Sequence, residues 1–253
     1  MKVLSGKARE RLLYLISPIA LIALWQVLLM LGIGDRRFIP APSDIAQRFV
    51  KLVASGELAW HVGVTLYRVA LGYVIGAVPA VAIGLLMAMF KPVRIFFDPL
   101  IAALFPIPKI ALLPLLILWF GIGEPSKIAT IALGVFFPTT ISAYSACDSV
   151  PRNLIRMAQS FGLPPLDIVR KILLPGAMPG ILAGFRISAS VALLLVVAAE
   201  MIGAEYGIGA FVLTAGNLMQ TDQLLAGVVM LSVLGLLIAW GLGALERRVL
   251  KWR

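Results

Sequence analysis

Residues 148–178 read DSVPRNLIRMAQSFGLPPLDIVRKILLPGAM, a polar island between two long apolar runs. Leu154, Met157, Ala158 and Phe161 recur at i, i+3, i+4 and i+7, the spacing of one helix face. Arg152, Asn153, Arg156, Gln159 and Ser160 fill the other face. Pro151 suits a helix start, and Gly162 followed by Pro164 and Pro165 suits its stop. A second short amphipathic piece sets Ile168, Val169, Ile172 and Leu173 against Asp167, Arg170 and Lys171, with Pro175 closing it. A short amphipathic helix outside a bilayer cannot bury its apolar face alone. It needs a groove on another protein, or the membrane surface.

The flanking runs set the fold class. Of 253 residues, 61% are hydrophobic and 13% charged, with a mean hydropathy of +1.01. That balance excludes a soluble globular domain and predicts one bilayer-embedded, all-α domain over residues 1–253. A helix needs about 20 apolar residues to cross the hydrocarbon core. Six windows qualify: Leu12–Ile33, Gly63–Phe90, Pro99–Phe120, Ile128–Ala146, Ile181–Ile202 and Leu224–Leu245. The first follows Lys2, Lys7, Arg9 and Arg11, but it is too long for a signal-peptide core and lacks a small-x-small cleavage site, so it reads as a retained helix.

The net charge of +10 suggests nucleic acid until the charges are placed. With six crossings and the N-terminus inside, fourteen of the 22 Lys and Arg fall on the side of the 148–178 loop and five on the other, among them Arg36, Arg37 and Lys127. The positive-inside rule then puts both termini and that loop in the cytoplasm. Cys147 is alone and His61 is alone, which leaves no disulfide pair or thiolate metal site and makes His61 a packing or headgroup contact.

On the outer side, residues 34–61 hold Pro40 and Pro42, then Ser43 or Asp44 as an N-cap. Ile45, Phe49, Leu52 and Val53 follow at helical spacing, so a short amphipathic helix is expected, either anchored on the membrane or used for docking. Gly72, Gly76, Ala80 and Gly84 recur four apart, as do Gly180, Gly184, Ser188 and Ala192, and then Gly235, Ala239 and Gly243. Small residues so spaced let helices approach closely in lipid.

The third window carries Pro106, Pro108, Pro114 and Lys109. Proline breaks the helical ladder, and the freed carbonyls need partners from protein or a water-filled cavity. An intramembrane Lys costs about 2.5–3.5 kcal/mol on insertion scales and faces the bundle interior or a pathway. Pro106, Pro108, Lys109, Glu200 and Arg68 are therefore the candidate pathway residues. Lys109 offers charge to a passing anion, or it pairs with Glu200 or reaches an interface; Arg68 and Arg186 read first as structural. Gly203, Gly207 and Gly209 permit a tight turn at the outer mouth.

The 148–178 segment resembles the signature loop of permease subunits of binding-protein-dependent ABC importers, which runs Glu-Ala-Ala, three residues, Gly, nine residues, Ile-x-Leu-Pro. Here Gly162, nine residues, then Ile172, Leu173, Leu174 and Pro175 match, and so does Ala158; Arg156 stands where the family has Glu and Met157 where it has Ala. The stretches TLYRVALGYVIGAVPAVAIG (65–84), LPLLILWFGIGEPSKI (113–128) and AEMIGAEYGIG (199–209) look like the branch serving nitrate, sulfonates and taurine. The resemblance implies a type I importer permease with six transmembrane helices and a cytoplasmic coupling helix. Leu154, Met157, Ala158, Phe161, Gly162, Ile172, Leu174 and Pro175 would carry the contact with a cytosolic ATPase. It also implies a homodimeric pore in a bacterial inner membrane, two ATPase copies that use ATP and Mg, a periplasmic or lipoprotein solute-binding protein, and no cofactor on this chain. A permease for a thiamine precursor or riboflavin-like solute, and a self-sufficient channel or secondary transporter, are the alternatives. The chain has no phosphate-binding loop, no H-E-x-x-H and no G-x-S-x-G, which argues against an enzyme.

Overall fold

The computed structural model describes residues 6–251, with side chains from residue 16 onward. Lys2, Arg253 and the side chains of Lys7, Arg9 and Arg11, which enter the charge asymmetry, lie outside the described residues. Every regular element among the described residues is helical. In order they are α1 (Gly6–Met30), α2 (Pro42–Ala54), α3 (Glu57–Met89), α4 (Lys91–Leu104), a 3₁₀ turn (Lys109–Leu112) leading into α5 (Leu113–Phe120), α6 (Glu124–Asp148), α7 (Arg152–Ser160), the single turn α8 (Pro165–Ile168), a π turn (Val169–Leu173), α9 (Leu174–Gly203), α10 (Ile208–Asn217) and α11 (Thr221–Val249).

The core is α3, α6 and α9 packed together. Lipid gives helices no hydrophobic reason to associate, so close backbone approach supplies the attraction. The small-residue spacing of α3 and α9 marks the faces that meet α6. A Cβ at Gly76 would stand 2.4 Å from the Ala132 carbonyl oxygen, and one at Gly180 would stand 2.5 Å from the Ala146 Cβ. Ile131 and Val135 of α6 fill the space between Val69 and Ala77 of α3 and Ala192 and Val196 of α9. The spacing on α11 means less: the nearest neighbour of a Cβ at Gly235 is 3.7 Å away, and α11 rests on α2, α9 and α10 at the edge of the core.

Among the described residues four helices are long and apolar enough to cross a membrane, Glu57–Met89, Glu124–Asp148, Pro165–Gly203 and Thr221–Val249; a bent pair makes five. In α1 the apolar helix with described side chains is the shorter Ile16–Met30. The bent pair corrects the third window. Pro99–Phe120 is not one straight helix: α4 and the Lys109–Phe120 segment meet at 88°. Pro106 and Pro108 lie in the break, where the missing N–H groups cannot continue the ladder.

Two further expectations change. Lys127 belongs to no loop, because α6 starts at Glu124, and Lys127 is only 4% exposed in its first turn. Pro125 at the helix start sets that boundary. Pro175 does not close a separate piece either, because the chain runs helically from Pro165 to Gly203. The π turn explains how. The Leu174 N–H bonds five residues back to the Val169 carbonyl, so the ladder widens just before the residue that has no N–H to give.

The short helix α2 packs instead of lying free. Ile45 and Leu52 are buried with Leu58, Phe211 and Ala226. Its N-cap is Ala41, not Ser43 or Asp44. Asp44, three residues in, accepts a bond from the Ala41 N–H at 3.3 Å, while Ser43 pairs with Gln26 of α1.

Candidate functional site

Three places gather the residues singled out by sequence. The first is α7, between the end of α6 and the start of α9. Its expected stop is a Schellman turn, with Gly162 at φ +71°. Leu163 N–H reaches the Ala158 carbonyl at 3.1 Å and Gly162 N–H the Gln159 carbonyl at 2.9 Å. Of the expected face, Ala158 turns inward at 3% exposure, whereas Leu154, Met157 and Phe161 stand 40%, 52% and 76% exposed. Ile172 and Leu174 are half-buried against the Cys147, Val150, Leu173 and Ala177 cluster, together with Ile155 of α7 and Val169. The loop motif thus divides into an outward apolar stripe and inward residues joining α7 to the ends of α6 and α9. Pro175 is half-buried in the first turn of α9.

The second place is the bend. Lys109 Nζ donates to the carbonyls of Leu104, Phe105 and Ile107 at 2.7, 3.1 and 2.7 Å and sits 4.5 Å from the centroid of the Phe137 ring. The Phe105 and Ile107 carbonyls lie where Pro106 and Pro108 end the ladder of α4, while the Leu104 carbonyl also accepts the Ile107 N–H at 3.3 Å. The ammonium group therefore does at this bend what water does for an exposed helix end. It makes no pair with Glu200.

The third place is an ion cluster at the end of the bundle away from α7. Arg68 of α3 is 3% exposed, and Glu200 of α9 is fully buried. Arg68 Nη1 donates to Glu200 Oε1 at 2.8 Å and to the Tyr206 carbonyl at 2.6 Å. Its Nε and Nη2 grip both oxygens of Glu124, which is 45% exposed. Glu200 also accepts from Thr65 Oγ1 at 2.9 Å and from the Gly209 N–H at 2.8 Å, and Thr65 Oγ1 accepts from the Ile208 N–H. Lys127 donates to the Gly123 carbonyl at 3.0 Å. Two cations and two carboxylates balance, and each buried oxygen of Glu200 has a donor. Such satisfaction is needed to offset the desolvation of buried charge.

Gly207 makes the cluster fit. Its φ is +123°, and a Cβ there would fall 2.3 Å from Glu200 Cδ, inside the carboxylate. His61 packs as expected, with Nδ1 within 3.1 Å of the Gly207 backbone nitrogen and its ring against Phe211. Arg186 lies elsewhere, paired with Glu246 of α11 at 2.6 Å.

The five pathway candidates therefore separate. Arg68 and Glu200 belong to the ion cluster, and Pro106, Pro108 and Lys109 to the bend. Among the described residues no hydrogen bond or ion pair joins the two groups. Sequence reasoning missed Thr65, Glu124 and Lys127. The signal for Glu124 was present, since an acid directly before a proline is a strong helix start.

A helical bundle broken at mid-chain, with small-residue packing and an amphipathic helix left outside it, is the build of a transport permease. Residues 80–251 match the family described as binding-protein-dependent transport system inner membrane component, and the chain belongs to that family. It is a membrane permease subunit of an ABC importer, a transport component and not an enzyme. It is 38% identical over 239 residues to an aliphatic sulfonates transport permease of Bacillus subtilis (strain 168), covering 94% of this chain and 87% of that one. With the taurine transport system permease of Escherichia coli (strain K12) it shares 35% over 237 residues, 92% and 86% of the two chains. Its fold is similar to that of a chain in the inward-facing MetNI methionine ABC transporter, with a TM-score of 0.67 at 22% identity over 76% of this chain and 98% of that one.

Proposed function

We propose that this permease imports a small sulfonate-bearing organic anion, of the aliphatic sulfonate and taurine kind, and that α7 is its coupling helix, docked in a groove of a cytosolic ATPase. The observation that carries the coupling role is the stripe of Leu154, Met157 and Phe161. It stays exposed on a helix whose inward side is already held, and it lies outside the apolar rods. Burying three such side chains is worth about 1.5–3 kcal/mol each, enough to make a groove a better place for them than water. The names of the two relatives support the substrate class.

In this reading six crossings put both termini and α7 on the cytoplasmic side of a bacterial inner membrane. Two copies of the chain form the pore, with two ATPase subunits below and a solute-binding protein above. ATP and Mg act on the ATPase, and this chain holds no cofactor. Ile172, Leu174, Pro175 and buried Ala158 carry movement of α7 into α6 and α9. Nucleotide at one end and the loaded receptor at the other bias two states of the dimer. The bend at Pro106, Pro108 and Lys109 is the segment best suited to move along the pathway, because its backbone is held by one side chain and not by a ladder. The Arg68–Glu200 cluster closes the outer end of the bundle.

The test is copurification from native membranes with a tag on this chain. The wild type brings an ATP-hydrolysing subunit with it and supports ATP-dependent taurine uptake; Met157→Ser with Phe161→Ser loses the subunit while the thermal unfolding midpoint holds. Solute flux from a preparation free of any ATPase sinks the reading.

A further inference from the structure

Beside α7 a cleft of about 1050 Å³ opens between the α3–α4 corner, the end of α6, and α7 with α8. Its wall carries Lys91, Arg94, Arg152 and Arg156 against two carboxylates, Asp98 and Asp148. Both carboxylates are taken. Arg94 pairs with Asp98 at 3.6 Å and Arg152 with Asp148 at 3.3 Å, each one turn apart on its own helix. Lys91 and Arg156 form no ion pair among the described residues. In the same lining the Tyr144 hydroxyl is buried without a hydrogen-bond partner, and the Arg94 guanidinium lies 5.0 Å from the centroid of its ring. The floor is apolar, with Met87, Ile155, Ile168 and Leu173. Phe90 and Ile95 of the lining and the adjacent Phe96, at the start of α4, are exposed at 46%, 63% and 63%.

We propose that this cleft binds the headgroup of an anionic phospholipid. Two unpaired cations and a free hydroxyl suit a phosphate diester. The apolar floor and the exposed run on α4 give the acyl chains somewhere to lie, which a free inorganic anion does not need. Basic pockets where helices leave the cytoplasmic leaflet attract such lipids. The cleft uses the Ile155, Arg156 and Gln159 side of α7, whereas Leu154, Met157 and Phe161 point elsewhere, so lipid and ATPase are not competitors. Arg156 at the position where the resembling loop has Glu then has a physical reason, since Glu there would remove one of the two unpaired cations.

The experiment is native mass spectrometry of the full chain drawn from vesicles of equal parts phosphatidylethanolamine and phosphatidylglycerol. It does not require an ATPase or a transported solute, so its outcome is independent of the coupling assignment. The wild type retains one phosphatidylglycerol per chain. Lys91→Gln with Arg156→Gln weakens retention roughly thirty-fold, at about one fivefold step per basic residue. Arg36→Gln with Arg37→Gln, at the other end of the bundle, leaves it unchanged. Equal retention by the cleft variant, equal loss by the distant control, or displacement of the lipid by millimolar inorganic phosphate each overturns the proposal.

Discussion

Arg68 Nη1 and Glu200 Oε1 lie 2.8 Å apart, with Glu200 fully buried and Arg68 nearly so, and they join α3 to α9 across 132 residues of sequence. The pair is asymmetric. Arg68 has a second carboxylate in Glu124, which reaches solvent, whereas Arg68 is the only cation that hydrogen-bonds Glu200 among the described residues.

That asymmetry predicts unequal damage. Arg68→Met leaves a buried carboxylate uncompensated and is expected to cost about 3–5 kcal/mol. Glu200→Gln keeps the shape, and Glu124 still balances Arg68, so the loss is expected to be smaller, about 1–3 kcal/mol. Thermal unfolding in one detergent ranks the two. The reverse order would show that Glu124 does not balance Arg68 once Glu200 is neutral.

The charge cluster also marks where sequence reading stops. Thr65, Arg68, Glu124, Lys127 and Glu200 are scattered over two apolar windows and the loop before a third, and nothing local says that they converge; only the packing of α3, α6 and α9 brings them together. Lys127 was misplaced because hydropathy starts a span at its first apolar residue, whereas the helix starts at its first helical one, Glu124. Conversely α7 and its stop at Gly162 were readable, since periodicity and a left-handed turn are both set within a few residues. The breaking prolines of the third window were visible, but not the 88° between the halves, which depends on what each half packs against. The π turn before Pro175 left no pattern at all.

Gly162 tests the coupling role proposed for the α7 turn. Its φ of +71° penalises any Cβ, yet open space surrounds it. Gly162→Asp is therefore expected to cost about 1–2 kcal/mol, confined to the α7 turn. ATP-driven uptake falls while the unfolding midpoint of the bundle barely moves. Gly162→Asn, which tolerates the left-handed region better, retains more uptake. Normal uptake by Gly162→Asp would remove the turn from the coupling route.

Lys109 is tied to three carbonyls, so Lys109→Ala takes a donor from each of them. A loss of about 1–3 kcal/mol is expected, together with reduced taurine uptake. Lys109→Arg, which keeps the donors, recovers most of the stability. If Lys109→Ala reduces uptake with no change in unfolding, the ammonium serves the passing anion and its carbonyl contacts are incidental.

Gly203 and Gly207 lie four residues apart at the same end of the bundle and should respond oppositely to one methyl group. At Gly207 the Cβ would enter the space of the Glu200 carboxylate, 2.3 Å from its carbon, and the φ of +123° adds backbone strain. Gly207→Ala must therefore push Glu200 off Arg68, Thr65 and the Gly209 N–H, and it is expected to cost as much as losing the carboxylate's partners, about 3–5 kcal/mol. At Gly203, the last residue of α9, no atom lies within 4 Å of the new Cβ. Gly203→Ala is expected to be neutral, or stabilising by about 0.5–1 kcal/mol through lower unfolded-chain entropy. Unfolding midpoints of the two variants decide it. If Gly207→Ala is as mild as Gly203→Ala, the 204–207 turn moves aside at little cost, and the cluster is a loose closure of that end and not a rigid one.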